Sequence, residues 1–157
     1  MNWTSILLAA FIPMITGFVW YNPKFLGNAW MRESGLKQED LEKRNIIFIA
    51  GFTFLFSFFV AFIMQMIVIH QFGAMGMIGG DESKALPSYA AFMNDYGTAF
   101  RTFKHGALHG TMSGIFFAAP IIAINGLFER KSWKYIFLHS GYWIITLGIM
   151  GGIICGM

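Results

Sequence analysis

The side chains best equipped for chemistry in this sequence are His105 and His109, four residues apart in KHGALHGTMSG, with Ser113 four further on. At about 100° per residue these positions fall along one face of a helix. Two imidazoles at i and i+4, joined by a third histidine and a carboxylate, form a workable ligand set for zinc or a similar ion. His70 supplies the third imidazole, and Asp81, Glu82 and Asp95 lie in the stretch between it and His105. The spacing alone is a weak metal signal, because HExxH is absent and Cys155 is the only cysteine.

Two other chemistries use the same residues. Ionisable groups inside a membrane are costly and mark pathways or pairs, which suggests proton or ligand handling. The plainer alternative is packing, with His109 bonding across helices while His70 and His105 sit among headgroups. Nothing points to a reaction: there is no Ser, His and Asp constellation in register, no buried carboxylate pair, no phosphate loop and no dinucleotide fingerprint. No cofactor is expected beyond a transition metal at the histidines, and a metal-dependent membrane enzyme is the most distant alternative.

The elements that must hold these residues are read from the distribution of charge. Of the 157 residues 56% are hydrophobic and only 12% charged, with a mean hydropathy of +0.57. No Asp, Glu, Lys or Arg occurs in residues 1–23, 45–80, 105–127 or 135–157. A bilayer core of about 30 Å needs roughly 20 helical residues, so each block is long enough to cross. The expected fold is an all-α polytopic membrane protein, one domain over 1–157, a four-helix bundle with spans near 3–21, 46–69, 106–128 and 133–154. The first block is expected to be retained as a span, since no Lys or Arg precedes Lys24 as a signal peptide would require.

The basic residues set an expected orientation and argue against nucleic acid as a partner. Lys24, Arg32, Lys37, Lys43 and Arg44 lie in the first loop and Arg130, Lys131 and Lys134 in the third, against Lys84, Arg101 and Lys104 in the second. Positive charge stays inside, which places both termini and the long second loop outside. Trp20, Tyr21, Trp30 and Trp133 are expected as interfacial anchors. Asn22-Pro23 breaks the first helix, and Phe25 to Arg32 suits a short helix lying in the interface. LKQEDLEKRN is expected to extend the second span inward. FGAMGMIGGDES is expected to be flexible, followed by an amphipathic helix near 87–104 that leads into the third span. Pro13 and Pro120 are expected to kink their spans.

Gly106, Gly110 and Gly114 repeat every four residues in the third span, as do Gly148, Gly152 and Gly156 in the fourth. Such grooves let backbones approach closely in lipid, either within the hairpin or across a homo-oligomer interface. The antiparallel arrangement brings Gln65, His70, His105, His109 and Ser113 to similar heights near the outer surface. His139 lies near the inner end instead, with Thr53 or Thr16 as expected partners.

VWYNPKFLGNAW and FKHGALHGTMSG, with four spans around them, resemble the bacterial membrane family of unknown function designated DUF1761. The recognisable elements are Trp20 to Pro23, the following Phe25, Gly27 and Trp30, and the His-Gly-x-x-His-Gly run from His105 to Gly110. The resemblance implies a four-span helical membrane protein and supplies no activity, substrate or catalytic residue; the expected location is the bacterial inner membrane. The expected function is non-enzymatic, a small transport, channel or ligand-sensing component in a homo-oligomer. The alternative is a structural or accessory subunit whose histidines and glycines serve only packing.

Overall fold

A computed structural model describes all 157 residues, Met1–Met157. The chain is helical throughout: α1 (Trp3–Trp20), α2 (Gly27–Ser34), α3 (Gln38–Glu42), α4 (Ile46–Val68), α5 (Gln71–Met77), α6 (Pro87–Tyr96), α7 (Phe103–Ser113), α8 (Ala119–Phe128) and α9 (Trp133–Gly156). A π-helical turn at Gly114–Ala118 joins α7 to α8, making one continuous third span, Phe103–Phe128. The third span, α1, α4 and α9 are the four helices long and apolar enough to cross a membrane.

Each span starts where a short polar side chain can accept from the first free amides. Asn2, Asn45, Thr102 and Ser132 accept from the backbone N–H of Ser5, Phe48, His105 and Tyr135. These caps also explain two departures from expectation. The polar segment after Gly35 does not extend the second span: Asn45 starts α4 afresh, and the short α3 stands apart. The helix near 87–104 is likewise broken, because α6 ends at Tyr96 and Thr102 begins the third span at Phe103 rather than at Gly106. The segment expected to be flexible after His70 contains α5 and a 3-10 turn at Glu82–Lys84.

The fourth span, α9, is the centre of the bundle. Of its most apolar stretch 56% is buried, against 11% for α4 and 11% for the third span. Ile6 and Ala9 of α1, Ala61, Met64 and Val68 of α4, and Leu147, Met150 and Ile154 of α9 form one core. The outward faces of α4 and the third span carry exposed Phe48, Phe52, Phe56, Phe116 and Phe117. An apolar shell over a small core is what a lipid solvent permits, since lipid tails are as apolar as the side chains they meet.

The closest helix pair is α7 with α9. A Cβ on Gly106 would overlap the Gly151 carbonyl oxygen, and one on Gly110 the Leu147 carbonyl oxygen. One on Gly114 would come within 2.5 Å of Ile144 Cα. In return, added carbons on Gly148, Gly152 and Gly156 would meet Thr111 Oγ1 at 2.7 Å, the Phe103 ring at 2.6 Å and the Phe103 amide nitrogen at 2.9 Å. All six glycines are therefore filled by their own chain, and the close approach is intramolecular. Gly151, absent from the four-residue pattern, is central to it: its added carbon would overlap the Gly106 carbonyl oxygen.

Candidate functional site

Both termini, the end of α4 and the start of α7 lie at one end of the bundle. Asn2 Nδ2 donates to the Met157 carbonyl at 3.2 Å, and Cys155 Sγ donates to the Val68 carbonyl at 3.3 Å. Ile69 leaves the helical conformation with φ −111° and ψ 102°, and this corner carries His70 away from α4 toward α7. His105 and His109 project from the first turns of α7, on the helix that Gly106 and Gly110 pin against α9.

The three imidazoles meet. His70 Nε2 and His105 Nε2 are 2.8 Å apart, so one ring supplies the proton and the other a lone pair. His109 stands with its ring centre 5.0 Å from that of His70 and 4.5 Å from that of His105. Its ring nitrogens bond to nothing in the chain, and its carbonyl accepts from the Ser113 hydroxyl at 2.9 Å. One nitrogen from each of the three rings can be chosen so that all lie within 4.8 Å of one another, a set able to reach one metal ion. His70 is exposed and the other two are half-buried.

Phe100 closes one side of the group. Its ring stacks on His105 with centroids 5.0 Å apart and meets His70 edge-on at 5.9 Å. Its φ of +61° lies in the left-handed region that a bulky side chain disfavours. Three contacts hold it there: Thr102 N–H donates to the Phe100 carbonyl at 2.8 Å, Cys155 Sγ lies 3.4 Å from the same oxygen, and Arg101 Nε donates to the Cys155 carbonyl at 3.1 Å. A cavity of about 230 Å³ lies beside His70, bounded by Gln71, Phe92, Tyr96, Ala99 and Phe100.

Two residues expected with the histidines are elsewhere. Gln65 is five residues before His70, which turns it about 140° around the helix. It is 1% exposed, in the core, with Nε2 donating weakly to Phe62 O at 3.3 Å and Oε1 without a partner. Ser113 has drifted about 80° from His105 and lines an apolar groove with Phe59, Ile63, Phe117 and Trp143. None of Asp81, Glu82 and Asp95 joins the imidazole group. Asp81 is engaged locally, its carboxyl held below the usual carboxylate range by the Ser83 hydroxyl first and Lys84 next.

The opposite end is built on the other motif. Trp20 Nε1 donates to the Leu138 carbonyl at 3.1 Å, and Tyr21 OH lies 3.1 Å from His139 Nδ1, so both side chains turn onto α9. Trp30 packs on Tyr21 at 5.0 Å, while Trp133 is 61% exposed. His139 thus bonds to Tyr21 instead of Thr53 or Thr16; Thr16 pairs with Thr146 at 2.8 Å. Gly27 permits the tight return after Pro23, since a Cβ there would overlap the Tyr21 carbonyl oxygen. Tyr21→Phe is expected to cost about 1 kcal/mol in reversible unfolding in detergent, the worth of one hydrogen bond. A cost below about 0.3 kcal/mol would show the Tyr21 and His139 contact to be idle.

The two motifs occupy opposite ends of one bundle, inside a match that runs over residues 4–155 to the family model described as "Protein of unknown function (DUF1761)". The chain belongs to this family. No curated protein and no solved structure matches it. In this member of DUF1761 the His-Gly-x-x-His-Gly run has two structural tasks, glycines toward α9 and histidines toward His70.

Proposed function

We propose that the protein is a non-enzymatic, ligand-sensing membrane component whose working site is the group His70, His105 and His109. The observation that carries this reading is the convergence of three imidazoles, one from the turn after α4 and two from the third span, with the His109 ring unbonded. Packing alone needs one hydrogen bond, and the His70 and His105 pair already makes it. A third ring is held beside that pair with both of its nitrogens free, which packing does not call for and a ligand would use. The proposal includes a bacterial inner membrane with termini and histidines outside, following the basic residues of the first and third loops. A homo-oligomer in this setting uses surfaces other than the glycine faces, which α7 and α9 occupy themselves.

One observation favours the structural alternative: the His70 to His105 bond ties α4 to α7 by itself. Labelling with diethylpyrocarbonate in sealed, oriented vesicles separates the two. The sensing reading expects external reagent to modify the triad, His109 included, while His139 is protected. Protection of His109 equal to that of His139 would remove the site from solution and leave packing as its role.

A further inference from the structure

We propose that His70, His105 and His109 form an exchangeable three-imidazole site for a divalent late transition metal, with Zn²⁺ as the best geometric match. The inference rests on the reading of this cluster as the working site and names its ligand. Zinc bound by histidine has Zn–N distances of about 2.0–2.1 Å, which in tetrahedral geometry puts the nitrogens roughly 3.3 Å apart. One nitrogen from each ring starts within 4.8 Å of the other two, and His70 Nε2 and His105 Nε2 stand 2.8 Å apart. Binding therefore requires the His70 and His105 pair to open by about half an ångström and His109 to swing inward, both by rotation of side chains alone. For the metal to take both Nε2 atoms, the ring that donates in the pair moves its proton to its own Nδ1, so that each neutral imidazole offers a lone pair.

The supports of the three ligands are fixed. Thr102 caps the turn that carries His105, the backbones of α7 and α9 touch beneath Gly106 and Gly110, and Cys155 Sγ bonds the Val68 carbonyl two residues before His70. A site on such elements holds its geometry better than one on loops. Three protein ligands leave a fourth position open, and the exposed His70 beside its cavity gives access from solution. The remaining ring nitrogens have no carbonyl or carboxylate partner within the chain, whereas tightly held metal ligands normally do. That combination suits an ion that binds and leaves, as a sensing role requires. The chemistry of three neutral imidazoles without a thiolate or carboxylate selects Zn²⁺ and Cu²⁺ over Mg²⁺ and Ca²⁺.

The test uses tag-free, chelator-stripped full-length protein in lipid nanodiscs, titrated calorimetrically with Zn²⁺. Saturable binding of one Zn²⁺ per chain is expected, weakened at least tenfold in His109→Gln and in His70→Gln and unchanged in His139→Gln. Electron paramagnetic resonance of the Cu²⁺-loaded wild type gives a second readout that needs no variant, with hyperfine splitting from several nitrogens expected. Absence of saturable binding, a His109→Gln affinity equal to wild type, or a signal from oxygen ligands alone would each overturn the assignment. External modification of His109 in vesicles together with absence of metal binding would defeat the metal while leaving the site reading in place. Failure of both would defeat the two together.

Discussion

Gly110→Ala is expected to destabilise the protein by about 3 kcal/mol, the upper range for forcing one extra carbon into a packed interface. The added Cβ would overlap the Leu147 carbonyl oxygen and stand 3.1 Å from Gly148 Cα, both parts of helix backbone that cannot rotate away. Relief requires α7 and α9 to separate along their whole contact, including the register that sets His105 and His109. Gly51→Ala is the matched control. Nothing lies within 4 Å of a Cβ at Gly51 on α4, so the change should be neutral or add up to about 1 kcal/mol from helix propensity. Reversible unfolding in mixed micelles reads both. Equal effects at the two positions would show that α7 and α9 do not approach as described, and a shift in oligomer mass with stability intact would move Gly110 to an interface between chains.

Gln65→Met is expected to have the opposite sign, stabilising the bundle by roughly 1–2 kcal/mol. Gln65 is 1% exposed among Ala61, Met64 and Val68, its Oε1 has no partner, and its only side-chain bond returns to Phe62 in its own helix at 3.3 Å. A buried acceptor without a donor bears its full desolvation cost. Methionine matches the length of glutamine, is unbranched and has no strong polar group to strand. Loss of stability in Gln65→Met would mean that the amide serves a polar partner after all.

The spans were legible because a charged side chain is expensive in hydrocarbon, so the spans expected from the charge-free blocks coincide with α1, α4, the third span and α9 to within about three residues. The loops were less legible, because their helices are set by single capping residues. Asn45 and Thr102 break patterns that hydrophobic periodicity would have carried through. The four-residue glycine spacing identified close packing without identifying its partner, which depends on the rotation of α9. Gly151 was missed because it lies three residues after Gly148. Its spacing to Cys155, four residues on and also against Gly106, was the available signal.

For the candidate site, sequence gave the right height and only part of the right direction. His70, His105 and His109 converge because the break at Ile69 turns His70 toward α7, a backbone event with no signature in residue spacing. Gln65 was grouped with them by depth and Ser113 by the four-residue spacing that continues the His105 and His109 face, and helical rotation carries both to other faces. Phe100 had no sequence signal, since its left-handed backbone is imposed by Thr102, Cys155 and Arg101.

The histidines at the terminal end act, on the proposed reading, as a site and not as glue between helices. The most direct test of that reading is the unfolding free energy of His70→Leu/His105→Leu/His109→Leu against wild type, both metal-free and in the same lipid mixture. A ligand site without its ligand contributes little to folding, so the triple variant should be as stable as wild type or more stable by up to about 2 kcal/mol. A loss of about 2 kcal/mol or more would exceed what one interhelical hydrogen bond is worth in a membrane and would contradict the account.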